Sequence, residues 1–210
     1  RQVLTGDLEK IRSFYMDRGY LDFDIENTTV SISETKKNVY IAIIIDEGDK
    51  YNFGDIKISG KYYPLKEELI FQNDIKTIKG EVFSRKLLNQ STESINQELG
   101  NYGYAFSNVN PIPDVDKNNL TVGFNYFIEP GKKVYVRRIS FIGNETTQDK
   151  VIRREMRQFE SSYYDKEKID QSTRRLKRTQ YFEDVIPLVE HLYATANHER
   201  ISEINFHFIT

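Results

Sequence analysis

Hydrophobic residues recur at helical spacing in three long stretches of the chain. In each stretch the apolar or small side chains follow one another at steps of three and four residues, which places them on one face of an α-helix. Ser84 and Asp165 stand directly before the second and third stretches, where their side chains can cap the first turn. Gly19 follows the first stretch and predicts its end. The three faces consist of Leu4, Leu8, Ile11 and Tyr15, of Leu88, Ser91, Ile95 and Leu99, and of Ile169, Ser172 and Leu176.

Two shorter helices are predicted from terminal signals. Pro64 begins one over residues 65–72, because proline is well tolerated at the start of a helix. Thr146 and Asp149 resemble a capping box in which Asp replaces Glu, and they predict a helix over residues 147–158.

Alternating hydrophobic and polar residues predict strands between and after these helices. The strand at 39–45 is apolar on both faces, which is typical of a central strand, so the polar strand before it is expected at a sheet edge. Pro111 and Pro113 place another strand at an edge, or interrupt it, since proline cannot donate to a ladder. The predicted strands are 20–33, 39–45, 51–59, 105–115, 120–128, 134–142, 185–194 and 201–210.

One stretch of the chain is repeated. Residues 39–60 match residues 122–143 at a constant offset of 83 residues, and Gly60 falls on Gly143 at the end of the match. A self-match at a fixed period indicates tandem modules. Each copy reads as strand, turn and strand, so the repeated stretch is interpreted as a junction at which one module ends and the next begins.

A second match lies at the ends of the long helices. Residues 11–20 align with residues 95–104, and both stretches end in Gly-Tyr. In the third copy Gln180 stands where glycine is expected. The end of the third long helix is therefore the least securely predicted of the three.

These elements predict an α+β fold made of tandem modules. A complete module has the order strand, helix, helix, strand, strand, and its two helices cover one face of a three-stranded sheet. The predicted first module is 1–49, the second 50–130 and the third 131–210. The first lacks its opening strand and helix, and we expect the chain to be a fragment of a longer protein.

Composition and charge exclude some classes of function. The formal net charge of −2 argues against general nucleic-acid binding. The charge is uneven, because residues 132–210 carry 15 Lys/Arg and 12 Asp/Glu. No apolar run approaches the length of a membrane-spanning helix.

The sequence offers little for catalysis or cofactor binding. There is no cysteine, which excludes thiol catalysis and thiolate metal sites. The three histidines lack metal-ligand spacing, and the glycines form no phosphate-binding loop and no G-x-S-x-G motif. We therefore predict a protein that is not an enzyme and binds no metal or other cofactor.

The order of elements, the Gly-Tyr pair and the strand YVRRISFIGN (135–144) together resemble the POTRA domains of bacterial outer-membrane β-barrel assembly proteins of the BamA type. Residues 134–160 are similar to the last POTRA of that family, which directly precedes the membrane barrel. The resemblance implies the end of the third POTRA, then the fourth and the fifth. It also implies that each sheet is mixed.

The resemblance further implies a periplasmic scaffold that docks accessory outer-membrane lipoproteins and guides unfolded outer-membrane proteins before insertion. The scaffold would be attached to the outer membrane through its own C-terminal barrel, which lies outside this sequence. Two alternatives remain open: the POTRA region of a two-partner secretion transporter, and a structural repeat unrelated to transport. The helical periods speak against a repeat made of strands alone.

A client-binding edge is predicted in the polar strand of the first module. An edge strand presents unpaired N–H and C=O groups, which can bind an extended peptide largely independently of its sequence. The residues assigned to this edge are Phe23, Asp24, Ile25, Glu26, Asn27 and Thr28, with 105–110 as a second candidate. The alternative is an edge that neighbouring segments cover.

A partner-binding surface is predicted on the helix at 147–158. Glu155 falls inside its apolar arc, where a carboxylate is costly unless it is paired. The partner is either an intramolecular arginine, with Arg137, Arg138 and Arg174 as candidates, or a group across an interface. The resemblance favours lipoprotein docking, and the assigned residues are Arg153, Arg154, Glu155 and Arg157. The wider cluster, which adds Arg174, Arg175 and Arg178, would contact lipid headgroups or an acidic partner, or form a solvated face.

Overall fold

The computed structural model describes residues 2–60, 71, 73–192 and 200–209. The helices in this part of the chain are α1 (Gln2–Met16), α2 (Arg85–Asn101), α3 (Asp149–Glu155) and α4 (Lys166–Arg178). The strands are β1 (Asp24–Ile32), β2 (Val39–Asp46), β3 (Asn52–Gly60), β4 (Asn108–Asp116), β5 (Thr121–Glu129), β6 (Val134–Ile142), β7 (Ser162–Tyr163), β8 (Asp184–Leu192) and β9 (Arg200–Ile209). The predicted helix at 65–72 lies outside the described residues, apart from Phe71.

The strands form three separate sheets, one for each predicted module. Their orders are β1-β2, β3-β5-β4 and β7-β6-β9-β8. In the third sheet β6 and β9 run parallel while β8 and β9 run antiparallel, so the sheet is mixed. The prolines of β4 correctly predicted that this strand lies at an edge.

The expectation that residues 39–45 form a central strand is wrong for the described part of the chain. There β2 pairs only with β1. The corresponding strands β5 and β9 are central because the opening strand of the same module, β3 or β6, pairs with their other side. The described residues of the first module include no such strand, and several apolar residues of β2 are exposed, including Val39, Ile41 and Ile44.

Contacts between Cα atoms divide the chain into two compact units. The described residues of the first unit are 2–59, 71, 73–93 and 110–127. Those of the second unit are 60, 94–109, 128–192 and 200–209. This division runs through the predicted second module, so the module boundaries stay a prediction.

The core of the first unit is aromatic. Phe53, Phe83 and Phe124 form a triad whose ring centroids lie 5.5 to 6.2 Å apart. Ser91 lies in the apolar face of α2 and is fully buried, and its hydroxyl accepts the amide of Lys76 at 2.8 Å while donating to a helix carbonyl. Because the hydroxyl is satisfied, its burial costs little.

The core of the second unit lies between α3, α4 and the sheet. Ile152 on α3, Ile169 and Leu176 on α4, and Phe206 on β9 are all buried in it. Ser172 repeats the role of Ser91, because its hydroxyl accepts the amide of Arg157 at 2.7 Å. The faces predicted for α2 and α4 are therefore confirmed, including the two serines within them, whereas the face predicted for α1 is only half-buried.

The capping box predicted at Thr146 is wrong, and α3 is shorter than expected. The residue at the N-cap is Gln148, whose side chain makes no capping hydrogen bond. Asn144 holds this turn instead, since its amide donates to the carbonyl of Thr147 and to the carboxylate of Asp149. The helix ends at Glu155 because Met156 has extended backbone geometry, with φ −70° and ψ 141°.

No helix in the described ranges is both long and apolar enough to cross a bilayer.

Gly143 ends β6 with φ +87°, and a Cβ atom built there would lie 2.5 Å from the carbonyl oxygen of Phe208. We expect Gly143→Ala to lower the free energy of unfolding by about 2 kcal/mol or more, because it combines left-handed strain with a backbone clash. Urea denaturation measures the change. Gly6→Ala in α1 is the control, since nothing lies within 4 Å of that position; it should be neutral or stabilise by up to about 1 kcal/mol. Equal effects at both positions would contradict the argument.

Candidate partner-docking surface

The surface predicted on α3 is built around Arg153, which is anchored at three points. Its guanidinium lies 5.0 Å from the ring centroid of Phe141, donates to the carbonyl of Ile139 at 3.4 Å and forms an ion pair with Glu160 at 3.5 Å. The side chain is still half exposed. Arg153 therefore presents a fixed positive charge beside the edge of β6.

Glu155 has an intramolecular partner that the sequence did not identify. Its carboxylate lies 2.7 Å from the guanidinium of Arg175 on α4, whereas Arg137, one of the predicted candidates, pairs with Glu203. The Glu155 and Arg175 side chains are 28% and 40% exposed, so water partly screens the pair. The Nε atom of Arg175 is buried without an acceptor. This pair joins α3 to α4, and both side chains remain partly exposed.

Arg154 and Arg157 differ in how they are held. Arg157 donates through its guanidinium to the carbonyl of Met156 at 3.1 Å. Arg154 is exposed and forms no ion pair within the described residues. The four assigned residues thus share one short helix and its end, but among the residues that the structure describes only Arg153 and Glu155 find an ion-pair partner.

An open hollow of about 380 Å³ lies beside α3. It is lined by Ile139, Arg153, Met156, Gln158, Phe159 and Glu160. Phe159 is 64% exposed, because the helix ends before it and the ring lies on the following loop. Exposed aromatic rings surrounded by charged groups are frequent at protein interfaces. By helical periodicity Phe159 would fall on the apolar arc if the helix reached that far, so no sequence pattern indicates its exposure.

Gln158 fixes the loop that carries Phe159, a role that no sequence pattern indicates. Its side chain is 1% exposed. The amide nitrogen donates to the carbonyls of Phe159 and Tyr163 and to the hydroxyl of Ser162, while the amide oxygen accepts from the backbone of Asp165 at 2.9 Å. A buried amide with all these partners holds the loop in one conformation.

The same loop covers the outer edge of β6. Its backbone donates from Ser161 to Val136 and from Tyr164 to Val134, and Glu160 accepts the amide of Ile139. Burial raises the pKa of Tyr164 to about 12, with smaller contributions from the charges of Asp170 and Asp165. This tyrosine therefore stays neutral near pH 7, and it serves the core rather than proton transfer.

The predicted client edge in β1 is partly available. Phe23 precedes the strand, is 2% exposed and stacks on Tyr15 at 4.3 Å, so its assignment to the edge is wrong. Asp24 pairs with Arg12 at 3.1 Å. Glu26 is the extra residue where the register with β2 shifts.

The rest of this edge consists of two half-buried residues, Ile25 and Thr28, and of the exposed Asn27. Asn27 and Thr28 follow the irregularity. Within the described residues β1 has β2 as its single neighbour, so its edge position is confirmed. A bulge increases local twist and often lies at a sheet edge. The edge thus offers backbone groups from Asn27 onward rather than along its whole length.

The described residues contain no group of three or more His, Asp or Glu side chains arranged to hold a metal ion.

Comparisons with known proteins find similarity along nearly the whole chain. Residues 1–48, 51–131 and 134–208 each match the POTRA family, described as surface antigen variable number repeat. The chain is 36% identical over 186 residues to the outer membrane protein assembly factor BamA of Neisseria meningitidis and 32% identical over 182 residues to that of Buchnera aphidicola. These alignments cover 88% and 87% of this chain but only 23% and 29% of the two relatives.

Solved structures agree. The crystal structure of Haemophilus influenzae BamA POTRA3-5 has a TM-score of 0.89 at 25% identity, covering 99% of this chain and 80% of that one. The structure of BamA from Haemophilus ducreyi lacking POTRA domains 1-3 has a TM-score of 0.61 at 29% identity, covering 76% of this chain and 29% of that one. With three successive family matches spanning nearly all of its length, the chain belongs to the POTRA family.

Proposed function

We propose that this chain is a periplasmic scaffold of outer-membrane protein assembly and acts by binding other proteins without changing them covalently. The observation that carries the proposal is the similarity along 99% of the chain to BamA POTRA3-5. Relatives named as assembly factors support it. In this proposal residues 1–49, 50–130 and 131–210 correspond to the end of the third POTRA, the fourth and the fifth. The outer membrane would hold the scaffold through a barrel after Thr210.

The α3 surface docks an accessory outer-membrane lipoprotein in this proposal. Three features support it: the exposed ring of Phe159, the fixed charge of Arg153 and the partly exposed ion pair of Glu155 with Arg175. The loop behind them is held by a buried amide, so little conformational entropy is lost on binding. A partner arginine next to Glu155 would share its carboxylate with Arg175, since a carboxylate accepts several hydrogen bonds.

Glu155→Lys is expected to weaken lipoprotein docking by about tenfold or more, because it places a cation where the interface needs an acceptor. The loss of unfolding free energy should be only about 1 kcal/mol, since the internal pair is partly exposed. Calorimetric titration of the 210-residue chain with the purified lipoprotein measures docking, and urea denaturation measures folding.

Two variants sharpen this test. Glu190→Lys makes the same charge change at an exposed site on β8 and should leave docking intact. The double variant Glu155→Lys with Arg175→Glu reverses the internal pair, so it should regain stability while docking stays weak. Unchanged docking in Glu155→Lys with a large fall in stability would contradict the proposal, as would an equal loss in Glu190→Lys.

The edge of β1 binds unfolded outer-membrane proteins in this proposal. Support comes from the described part of the chain, where β2 is the single neighbour of β1, and from the exposed residues after the bulge. Backbone pairing suits clients that share only an alternating pattern, because the hydrogen bonds do not depend on side-chain identity.

A photoreactive phenylalanine analogue at Asn27 is expected to cross-link a urea-unfolded outer-membrane protein diluted onto the chain. The same analogue at Lys37, in the exposed turn between β1 and β2, should give little product. A third position, Tyr40 on β2, reports on the opposite edge of this two-stranded sheet. Mass spectrometry of the adducts is the measurement, and cross-linking of equal yield at Lys37 and Asn27 would contradict edge binding.

A further inference from the structure

The second helix of each complete module, α2 or α4, begins with backbone amides that need hydrogen-bond acceptors. The residue directly before the helix supplies one of these acceptors. Ser84 accepts the amide of Leu87 at 3.4 Å at the start of α2, and Asp165 accepts that of Lys168 at 3.0 Å at the start of α4. In both helices the capped amide is that of the third residue. A helix leaves its first four amides without helical partners, so these caps satisfy only part of the need.

The amide of the second residue is satisfied by the preceding module. The carboxylate of Asp17 accepts the amide of Lys86 at 2.7 Å, and the side-chain oxygen of Asn101 accepts the amide of Glu167 at 2.9 Å. Asp17 and Asn101 occupy the same place in the repeat, two residues before the glycine of the Gly-Tyr pair. Both contacts lie within a compact unit, the first in unit one and the second in unit two.

The glycine of the pair makes a second contact with the next module. The carbonyl of Gly19 accepts the amide of Tyr51 at 2.8 Å, and that of Gly103 accepts the amide of Val134 at 2.9 Å. Both glycines are buried, with φ of +105° and +97°. At Gly19 a Cβ atom would lie 2.8 Å from the side chain of Lys50, so the closeness of the next module requires glycine there.

The third module differs at the acceptor position and at the glycine position, although it keeps the tyrosine. Arg178 replaces the acceptor, and Gln180 replaces the glycine, keeping a positive φ of +59°. Tyr181 is 58% exposed, whereas Tyr104 in the second copy is 5% exposed and has the ammonium of Lys133 5.7 Å from its ring centroid. A guanidinium only donates hydrogen bonds, so Arg178 cannot accept a helix amide.

We infer that Asp17 with Gly19, and Asn101 with Gly103, form a self-recognition surface whose partner is the start of the second helix of the next module. The acceptor side chain determines whether another module can dock. Arg178 ends the series, because it removes the acceptor that a following module would need. This inference concerns contacts within the chain and does not rest on the proposed function.

Substitutions at Asn101 test the inference in the full 210-residue chain. The chain has no cysteine, so spin labels can be placed at chosen exposed sites within one compact unit. Asn108→Cys with Glu145→Cys reports on the second junction, and Glu34→Cys with Lys117→Cys reports on the first. Pulsed electron paramagnetic resonance gives the distance distribution for each pair of spin labels. Asn101→Ala should raise the ratio of undocked to docked second junction about fivefold.

Two further variants at the same position separate chemistry from size. Asn101→Asp keeps an acceptor and should leave the distribution narrow. Asn101→Arg introduces the residue type that the third module has at this position, and it should broaden the distance distribution at least as much as Asn101→Ala. The distance distribution of the first-junction pair should not change in any of these variants. Asp17→Ala should broaden the distribution of the first-junction pair alone.

Asp165→Ala is the matched control, because it removes an acceptor from the same helix start but from within the third module. It should lower the melting temperature and leave the second-junction distribution unchanged. The inference is overturned if Asn101→Ala keeps the distribution as narrow as the parent chain, if Asp165→Ala broadens it equally, or if Asn101→Arg docks as well as Asn101→Asp.

Discussion

Backbone amides that one module cannot satisfy are satisfied by its neighbour, and the rest of this structure depends on that constraint. The start of a helix and the opening residue of a sheet both leave N–H groups that would be costly to bury unpaired. Here Gly19 and Gly103 accept the amide before or at the start of the next sheet, while Asp17 and Asn101 accept from the next helix. Close approach of the next module thus requires glycine at position 19, while both glycines also end a helix with a positive φ.

Much of the fold was predictable because it rests on local chemistry. The apolar faces of α2 and α4 follow helical spacing, and the prolines of β4 correctly indicate an edge. Even the serines at 91 and 172 lie on the predicted faces, although the reason for their burial appears only in space, where each accepts an amide about fifteen residues away along the chain.

The remaining features depend on partners distant in sequence. The early end of α3 and the exposure of Phe159 could not be read from periodicity, since the apolar pattern continues past the last helical residue. Arg175 pairs with Glu155 because α3 and α4 meet, and no local spacing distinguishes it from Arg174. Phe23 was assigned to an edge from its position in an alternating segment, but stacking on Tyr15 buries it. Periodicity therefore located the helix and the strand that carry the candidate residues, whereas the partner of Glu155 and the burial of Phe23 depend on tertiary contacts. The binding roles of these residues stay predictions.

The account of the junctions is tested most directly by amide hydrogen exchange, followed by NMR, at the four amides that cross between modules. These are the backbone N–H groups of Tyr51, Lys86, Val134 and Glu167. If neighbouring modules satisfy them, all four should be protected to an extent approaching that of the central strand β5, although each lies at the start of an element where fraying is usual. Exchange of these amides at the rate of an open loop, while β5 remains protected, would contradict the account.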